Sequence, residues 1–296
     1  MTDRAKAERS LGWRLAGPAF VVMVAVTGYP ILQAIWNSFF NYRLTDPTNK
    51  KFTFLNNYIV ALSDGVFWQA TWVTVLITII TVAVELVLGF IIALVMHKIV
   101  IPRRSLRTIV LIPYSIITVV SAFSWFYAFR TDTGYINQWF AWLPGIDAST
   151  DWFGGFWGSI LVICLSEIWK TTPFMSLLLL AGLAQVDASM EEAAEVDGAT
   201  WWQRLTRVIL PNMKAAIMVA LLFRTLDAFR IFDNIFIMTG GANGTSSLSL
   251  LTYNQAIDRV EIGMGSALAV LLFLFVLVIA AAFVRGFKVD LTGGRN

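Results

Sequence analysis

The chain has 296 residues, of which 57% are hydrophobic and only 14% charged, with a mean hydropathy of +0.70. Soluble domains are about 45–50% apolar and about 25% charged, which excludes a water-soluble globule of this composition. A net charge of +3 is no nucleic-acid signal, and Cys164, the single cysteine, has no partner for a disulfide within the chain.

Residues 1–14 form a polar, basic tail carrying Arg4, Lys6 and Arg9. The apolar run Leu15–Phe40 is too long for the core of a signal peptide and lacks a clear cleavage site, so it reads as the first span, with Pro30 toward its outer part. Residues 41–66 are a polar loop. Phe67–Met96 is the second span; wholly helical it measures about 45 Å against a hydrocarbon core of about 30 Å, so it tilts or protrudes. His97–Arg107 is short and basic. Leu106–Phe129 is the third span, with Pro113 expected to kink it. Residues 130–157 form a loop whose Trp139, Trp142, Trp152 and Trp157 suit a membrane interface.

Gly158–Ala184 is the fourth span, with Glu167, Lys170 and Pro173 inside it. Residues 185–212 are polar but patterned. Met213–Thr239 is the fifth and most polar span, followed by a loop, 240–262, opening on Gly-Gly-Ala-Asn-Gly, expected to be a flexible turn. Gly263–Phe287 is the sixth span, and 288–296 a short basic tail. The expected fold is an all-α, multi-pass protein of the cell membrane. It has six transmembrane helices in one domain, 15–287, and both termini on one side. That side carries 14 Lys and Arg (the 97–107 and 185–214 segments and both ends, the last counted from Arg285), against 5 in the alternate loops. Basic loops stay inside, so the termini and the 185–212 loop are expected in the cytoplasm.

Within that loop, Glu191, Glu192, Ala193, Ala194 and Glu195 favour a helix with acids in its first turns. Gly198 interrupts it. Trp201, Trp202, Leu205, Val208 and Ile209 then recur as the apolar positions of a second helix, and Pro211 leads into the fifth span. Read without further context, this is an amphipathic helix–turn–helix connector lying on a membrane face.

The chain has no G-x-x-x-x-G-K-S/T signature and cannot hydrolyse nucleotide alone. His97 is the only histidine and sits at a membrane boundary, so no metal site is expected; Cys164 reads as helix packing. Charges inside spans are the stronger signal, because each costs at least about 2.5–3.5 kcal/mol at the bilayer centre unless it faces a partner or a cavity. Arg224, Asp227 and Arg230 share a face, which allows Asp227 to sit between two guanidiniums. Arg224 and Asp233 also fit a buried ion-pair ladder, whereas Asp227 and Arg230, with Asn234 nearby, suit a water-filled path. Glu167 and Lys170, three apart, are able to pair with each other. Trp169, Thr171 and Thr172 beside Pro173 offer a ring face, hydroxyls and freed backbone groups suited to a sugar. Glu85 in the second span is a weaker candidate for such a site, the alternative being a pair with a basic residue of a neighbouring helix.

The spelling Glu192-Ala-Ala-Glu-Val-Asp-Gly198-Ala199 with Val208-Ile-Leu-Pro211 resembles the loop of importer permeases of the ATP-binding cassette (ABC) class. Leu205 and Val208 stand where the sugar-importing branch usually has Phe and Ile. Tyr29-Pro30 with Ser38-Phe39, Leu111-Ile-Pro-Tyr114, Trp169-Lys-Thr-Thr-Pro-Phe174 and Asp227–Asn234 before Gly240-Gly241 extend the resemblance to the maltose-type carbohydrate permeases. Within these it narrows to the first permease of trehalose importers of the mycobacterial type, through Lys170–Ser176 and Phe223–Asn234.

That resemblance implies the type I ABC importer permease fold, with Glu191, Glu192, Ala193, Ala194, Asp197, Gly198 and Ala199 coupling to an ATPase. It implies sugar contacts at Tyr114, Thr118, Trp169, Thr171, Asp227 and Arg230. Where the maltose permease has asparagines in the fifth core helix, this chain is charged. The implied partners are a second permease, a cytoplasmic ATPase pair holding ATP and Mg, an extracytoplasmic sugar-binding protein and a disaccharide, trehalose; the chain itself carries no cofactor. Two rivals are an ion-coupled carrier working alone, which leaves the 192–211 pattern unexplained, and a membrane enzyme using Asp227 or Glu167, which lacks a nucleophile or metal set.

Overall fold

The structure, a computed structural model, describes residues 3–98 and 103–286. The expected C-terminal tail, 288–296, and residues 99–102 of the basic 97–107 loop lie outside the described residues. Helix α1 (Asp3–Ser38) leads into a short antiparallel hairpin, β1 (Phe40–Asn41) and β2 (Lys51–Phe52), and into α2 (Asn56–Ser63). The unbroken helix α3 (Gly65–Lys98) precedes four shorter helices: α4 (Arg103–Val110), α5 (Ile112–Ser115), α6 (Thr118–Phe129) and α7 (Ile136–Phe140). Next come α8 (Phe156–Leu183), α9 (Ala188–Val196), α10 (Trp201–Arg204), α11 (Leu210–Asn212) and α12 (Lys214–Ala228). The described chain closes with α13 (Asp233–Met238), α14 (Leu248–Tyr253) and α15 (Ile262–Gly286).

Among the described residues four helices are long and apolar enough to cross a membrane: α1 from Leu11 onward, α3, α8 and α15. The other two expected spans are broken. Across Leu106–Phe129 the chain runs as α4, α5 and α6, with extended backbone at Ile116 and Ile117 (ψ 135° and 132°). The helix is first interrupted at Leu111, beside Pro113 as expected, with the proline in the first turn of α5 where a missing N–H costs nothing; the extended break at Ile116–Ile117 is a second one that the sequence did not suggest. Across Met213–Thr239, α12 ends at Ala228 and α13 begins at Asp233, with Phe229–Phe232 as a turn between them.

The loops are also more ordered than their sequence suggests. The expected flexible turn is a defined one: Gly240, Gly241, Asn243 and Gly244 all take positive φ, and Thr239 and Thr245 share a hydroxyl bond of 2.8 Å across it. Trp152 is held within its loop. Its indole N–H donates to Asn137 Oδ1 at 2.6 Å, while Trp139, Trp142 and Trp157 are exposed.

The chain falls into two compact units, one of residues 1–65 with 251–273 and one of 66–250 with 274–296. In the first, Asn57 Nδ2 donates to the carbonyls of Ser38 and Phe40, and Gly263 N–H donates to Tyr42 O. The second unit holds two apolar clusters. One gathers Val73 and Ile77 of α3, Ala122 of α6, Ile163 of α8 and Ile235 of α13. The other gathers Ala93 and Met96 of α3, Met175 and Leu179 of α8, Leu205, Ile209 and Met213, and Ala220 of α12. With lipid on the outside there is little hydrophobic drive between helices, so close backbone approach matters more. Gly89 of α3 supplies it: a Cβ there would stand 2.8 Å from Met175 Cγ and 3.2 Å from the backbone nitrogen of Ser176 on α8. Gly89→Leu is expected to force α3 from α8 at a cost of about 1–3 kcal/mol. A thermal unfolding scan of the detergent-solubilised protein tests this, and a melting temperature equal to that of the wild type would refute the contact.

Candidate functional site

The second unit contains a cleft of about 390 Å³ whose walls are built at the two helix breaks. Tyr114 and Thr118 come from the α5–α6 break. Asp227, Arg230, Ile231, Phe232, Asp233 and Asn234 come from the α12–α13 break, and Glu167, Lys170 and Thr171 from the unbroken α8 between them. Breaking a helix at membrane depth frees backbone groups that must be satisfied by protein or by a wet cavity. Lys170 does this on one side: its ammonium donates to Ile116 O at 2.7 Å and to Tyr114 O at 3.5 Å. On the other side Arg230 N–H and Ile231 N–H close turns onto Asp227 O and Ala228 O.

Beneath the cleft lies a buried ionic cluster. Arg224 is fully buried and grips Glu85 with two bonds, Nε to Oε2 at 2.6 Å and Nη2 to Oε1 at 2.9 Å. Its Nη2 also reaches Thr171 Oγ1 (3.1 Å) and Glu167 Oε1 (3.4 Å), and its Nη1 reaches Asp227 Oδ2 at 2.5 Å. Asn234 Nδ2 donates to Glu167 Oε2 at 2.8 Å, and Thr171 Oγ1 donates to Glu85 Oε1 at 2.7 Å. One guanidinium thus ties α3, α8 and α12 together, and Glu167 extends the cluster to Asn234 of α13. The planar fork of arginine suits this, since it satisfies several carboxylates at once. Asp227 is the member that also faces out, with 59% of its side chain exposed.

Several sequence expectations are corrected here. Asp227 does not sit between two guanidiniums, because Arg230 Nε donates to Leu226 O instead. Glu167 and Lys170 do not pair; they turn to Arg224 with Asn234 and to the freed carbonyls respectively. Trp169 lies outside the cleft, beside Trp125 with ring centroids 6.0 Å apart. Residues two apart on a helix point some 200° apart, so Trp169 and Thr171 cannot share a face. The aromatic faces in the cleft are Tyr114, stacked on Phe174 at 5.2 Å, and Phe232, stacked on Phe236 at 5.2 Å. Phe232 and Ile231 escaped the sequence reading, as nothing in their type marks a helix break. Glu85 has the basic partner from a neighbouring helix that its position suggested. Among the described residues no group of His, Cys, Asp or Glu is able to hold a metal.

A second feature is the 185–212 segment. Asp187 caps α9, and the Ser189 N–H bonded to its carboxylate holds that group below the usual carboxylate range. At the other end Gly198 takes φ +78°, with its N–H donating to Glu195 O and Ala199 N–H to Ala194 O, a Schellman closure. Two residues on, Thr200 and Gln203 form a reciprocal capping box for α10, and Arg204 pairs with Glu195 to lock the two helices. Leu205 and Ile209 are buried beneath. The outer face is left open: Glu192, Ala193 and Asp197 are exposed, with Val196 at 87% and Trp202 at 66%. Uncovered apolar side chains on an ordered element mark a surface that meets a partner protein or a membrane.

Residues 85–287 match the family described as binding-protein-dependent transport system inner membrane component. The chain belongs to this family. It is therefore a membrane-spanning component of a transport system and not an enzyme. It is 48% identical over 293 residues to the trehalose transport system permease protein SugA of Mycobacterium tuberculosis, covering 99% of this chain and 94% of that one. It is 36% identical over 280 residues to the trehalose/maltose transport system permease protein MalF of Thermococcus litoralis, covering 94% of each. The crystal structure of a bacterial ABC transporter involved in the import of the acidic polysaccharide alginate contains a chain of like fold. Its TM-score is 0.80 at 19% identity, across 97% of this chain and 99% of that one.

The buried cluster generates a direct prediction. Arg224→Leu leaves Glu85, Glu167 and Asp227 around an uncompensated site and is expected to cost about 3–5 kcal/mol. Protease resistance of the protein in native membranes reports this, and a variant as resistant as wild type would mean the cluster contributes little.

Proposed function

We propose that this chain is one of two permease subunits of an ATP-driven importer for a disaccharide of the trehalose type. In this reading six spans cross the membrane, α4–α6 and α12–α13 each counting as one, and both termini face the cytoplasm. The observation that carries it is the polar cleft formed at two helix breaks, with hydroxyl, carboxylate, guanidinium and aromatic groups converging on a space of about 390 Å³. Such a mixture suits a polyol ring, which stacks on an aromatic face while its hydroxyls take hydrogen bonds. Likeness to two relatives named for trehalose transport supports the choice of sugar. Tyr114, Thr118, Thr171, Asp227 and Arg230 are the proposed contacts, with Phe232 taking the stacking role first given to Trp169.

The partners follow from the same reading: a second permease completes the path, an extracytoplasmic binding protein delivers the sugar, and a cytoplasmic ATPase pair holds ATP and Mg. The exposed face of α9, from Glu191 to Ala199, docks on the ATPase. ATP-driven closure moves that face, the cleft opens outward to take the sugar, and it reopens inward after hydrolysis.

The test uses the complete assembly in proteoliposomes with its binding protein, following ATP hydrolysis as trehalose, maltose and other disaccharides are added. Stimulation by trehalose is expected; stimulation only by another sugar would discard trehalose, and loss of the ATPase on purification would reopen a carrier working alone. Gly198→Val separates coupling from assembly, since a β-branched residue at φ +78° costs about 1–3 kcal/mol. Uptake is expected to fall about tenfold or more with the subunits still copurifying. Normal uptake in that variant would refute the role of the turn.

A further inference from the structure

Trp169 and Pro173 of α8 open onto an apolar groove of about 370 Å³. The groove runs between α3 (Leu88, Ile91), α4 (Ile109, Val110) and α8. Its one hydroxyl is satisfied: Thr172 Oγ1 donates to Ile168 O at 2.6 Å. Nothing in it would select a sugar.

Basic residues lie beyond one end of the groove along the helices that line it. Helix α3 ends on His97 and Lys98, about 9 Å along the axis from Ile92 at 1.5 Å per residue. Helix α4 carries Arg107 less than one turn before Val110, with Arg103 and Arg104 at its start in the sequence. At 100° per residue Leu106, Ile109 and Val110 fall within one arc, with Arg107 beside it. From Leu86 to Thr131 the sequence holds no Asp or Glu to neutralise these charges. Lys98 and Arg107 are exposed and form no ion pair with another described residue. An apolar channel ending in unneutralised cations matches one kind of occupant.

We infer that this groove holds an anionic phospholipid, with an acyl chain along Leu88, Ile91 and Ile109 and its phosphate at Lys98 and Arg107. Basic pockets beside apolar helix faces on the cytoplasmic side bind such headgroups, each cation contributing through the negative surface field. A neighbouring membrane helix would cover the apolar part but leave the cations without a partner. The inference rests on the proposed cytoplasmic placement of the 97–107 loop.

The experiment is native mass spectrometry of the complete assembly taken from nanodiscs of phosphatidylcholine and phosphatidylglycerol in equal parts. Wild type is expected to retain phosphatidylglycerol in preference. The double variant Lys98→Gln, Arg107→Gln should lower that retention about tenfold or more, as removal of two basic side chains implies. Ile91→Trp, which fills the groove, should lose bound lipid of both kinds. Equal phosphatidylglycerol retention in wild type and both variants would overturn the site. So would a benzophenone attached at Ile91→Cys that captures the partner permease in place of phospholipid. Placement is read separately, by labelling Ser105→Cys with a membrane-impermeant maleimide. Reaction in intact cells would sink the topology and with it the proposed function, whatever lipid the groove retains.

Discussion

Arg224 is the constraint on which the transport unit depends. A guanidinium without exposure inside a membrane protein is tolerable only if its donors are met, and here they are met by side chains from two other helices and its own. This fixes the rotation of α12, because Arg224 must face Glu85 on α3 and Thr171 on α8. It also fixes the height of α3, whose Glu85 would otherwise be a bare carboxylate in an apolar run. Such a cluster is not the most stable way to fill a core, since apolar residues of similar volume often do as well. What it adds is register: few rotations or slides of these helices keep all those bonds.

The breaks in the flanking helices follow from having that fixed centre. Helix α8 stays continuous through Pro173, while the chain on either side of it stops being helical near the same level. Lys170 and the turn hydrogen bonds of Phe229–Ile231 meet the backbone groups so exposed. The result is a polar cleft that costs little to hold open, because most of its carbonyls and carboxylates already have partners. Asp227 spans both worlds, bound to Arg224 by one oxygen and more than half exposed.

Much of this was legible in the sequence where the cause is local. Glycine at 198 between two helix-forming stretches demands a left-handed turn, and four of the six expected spans appear as continuous apolar helices. Intramembrane charge pointed to Glu85, Glu167, Lys170, Arg224 and Asp227 because its cost is independent of fold. What escaped was partner choice. Spacing of three residues allowed Glu167 with Lys170 and Asp227 with Arg230, but Lys170 and Glu167 found partners far away in sequence, Ile116 O and Asn234, while Asp227 and Arg230 took other local ones, Arg224 and Leu226 O. Pro113 marked the interruption at Leu111, but the second break at Ile116–Ile117 carries no proline or glycine and so left no mark in the sequence. Phe232 was missed for a similar reason, since an apolar residue in an apolar segment carries no mark of the turn it occupies.

The two features of the transport unit are joined by one packed core. Leu205 and Ile209, just beyond the capping box, are buried in the same cluster as Met175 and Leu179 of α8 and Ala220 and Ala228 of α12. Close-packed side chains transmit displacement because they have no free volume to absorb it. Gly182 of α8 sharpens the contact, for a Cβ there would collide with that of Ala216 on α12. Under the proposed function, a push on the outer face of α9 reaches α8 and α12 together, carried by Glu195–Arg204 and then by Leu205. Those are the helices whose relative rotation Arg224 fixes. Under the proposed function, coupling consists of shifting this ionic register, and the cleft opens or closes as the bonds of Asp227 and Glu167 are exchanged.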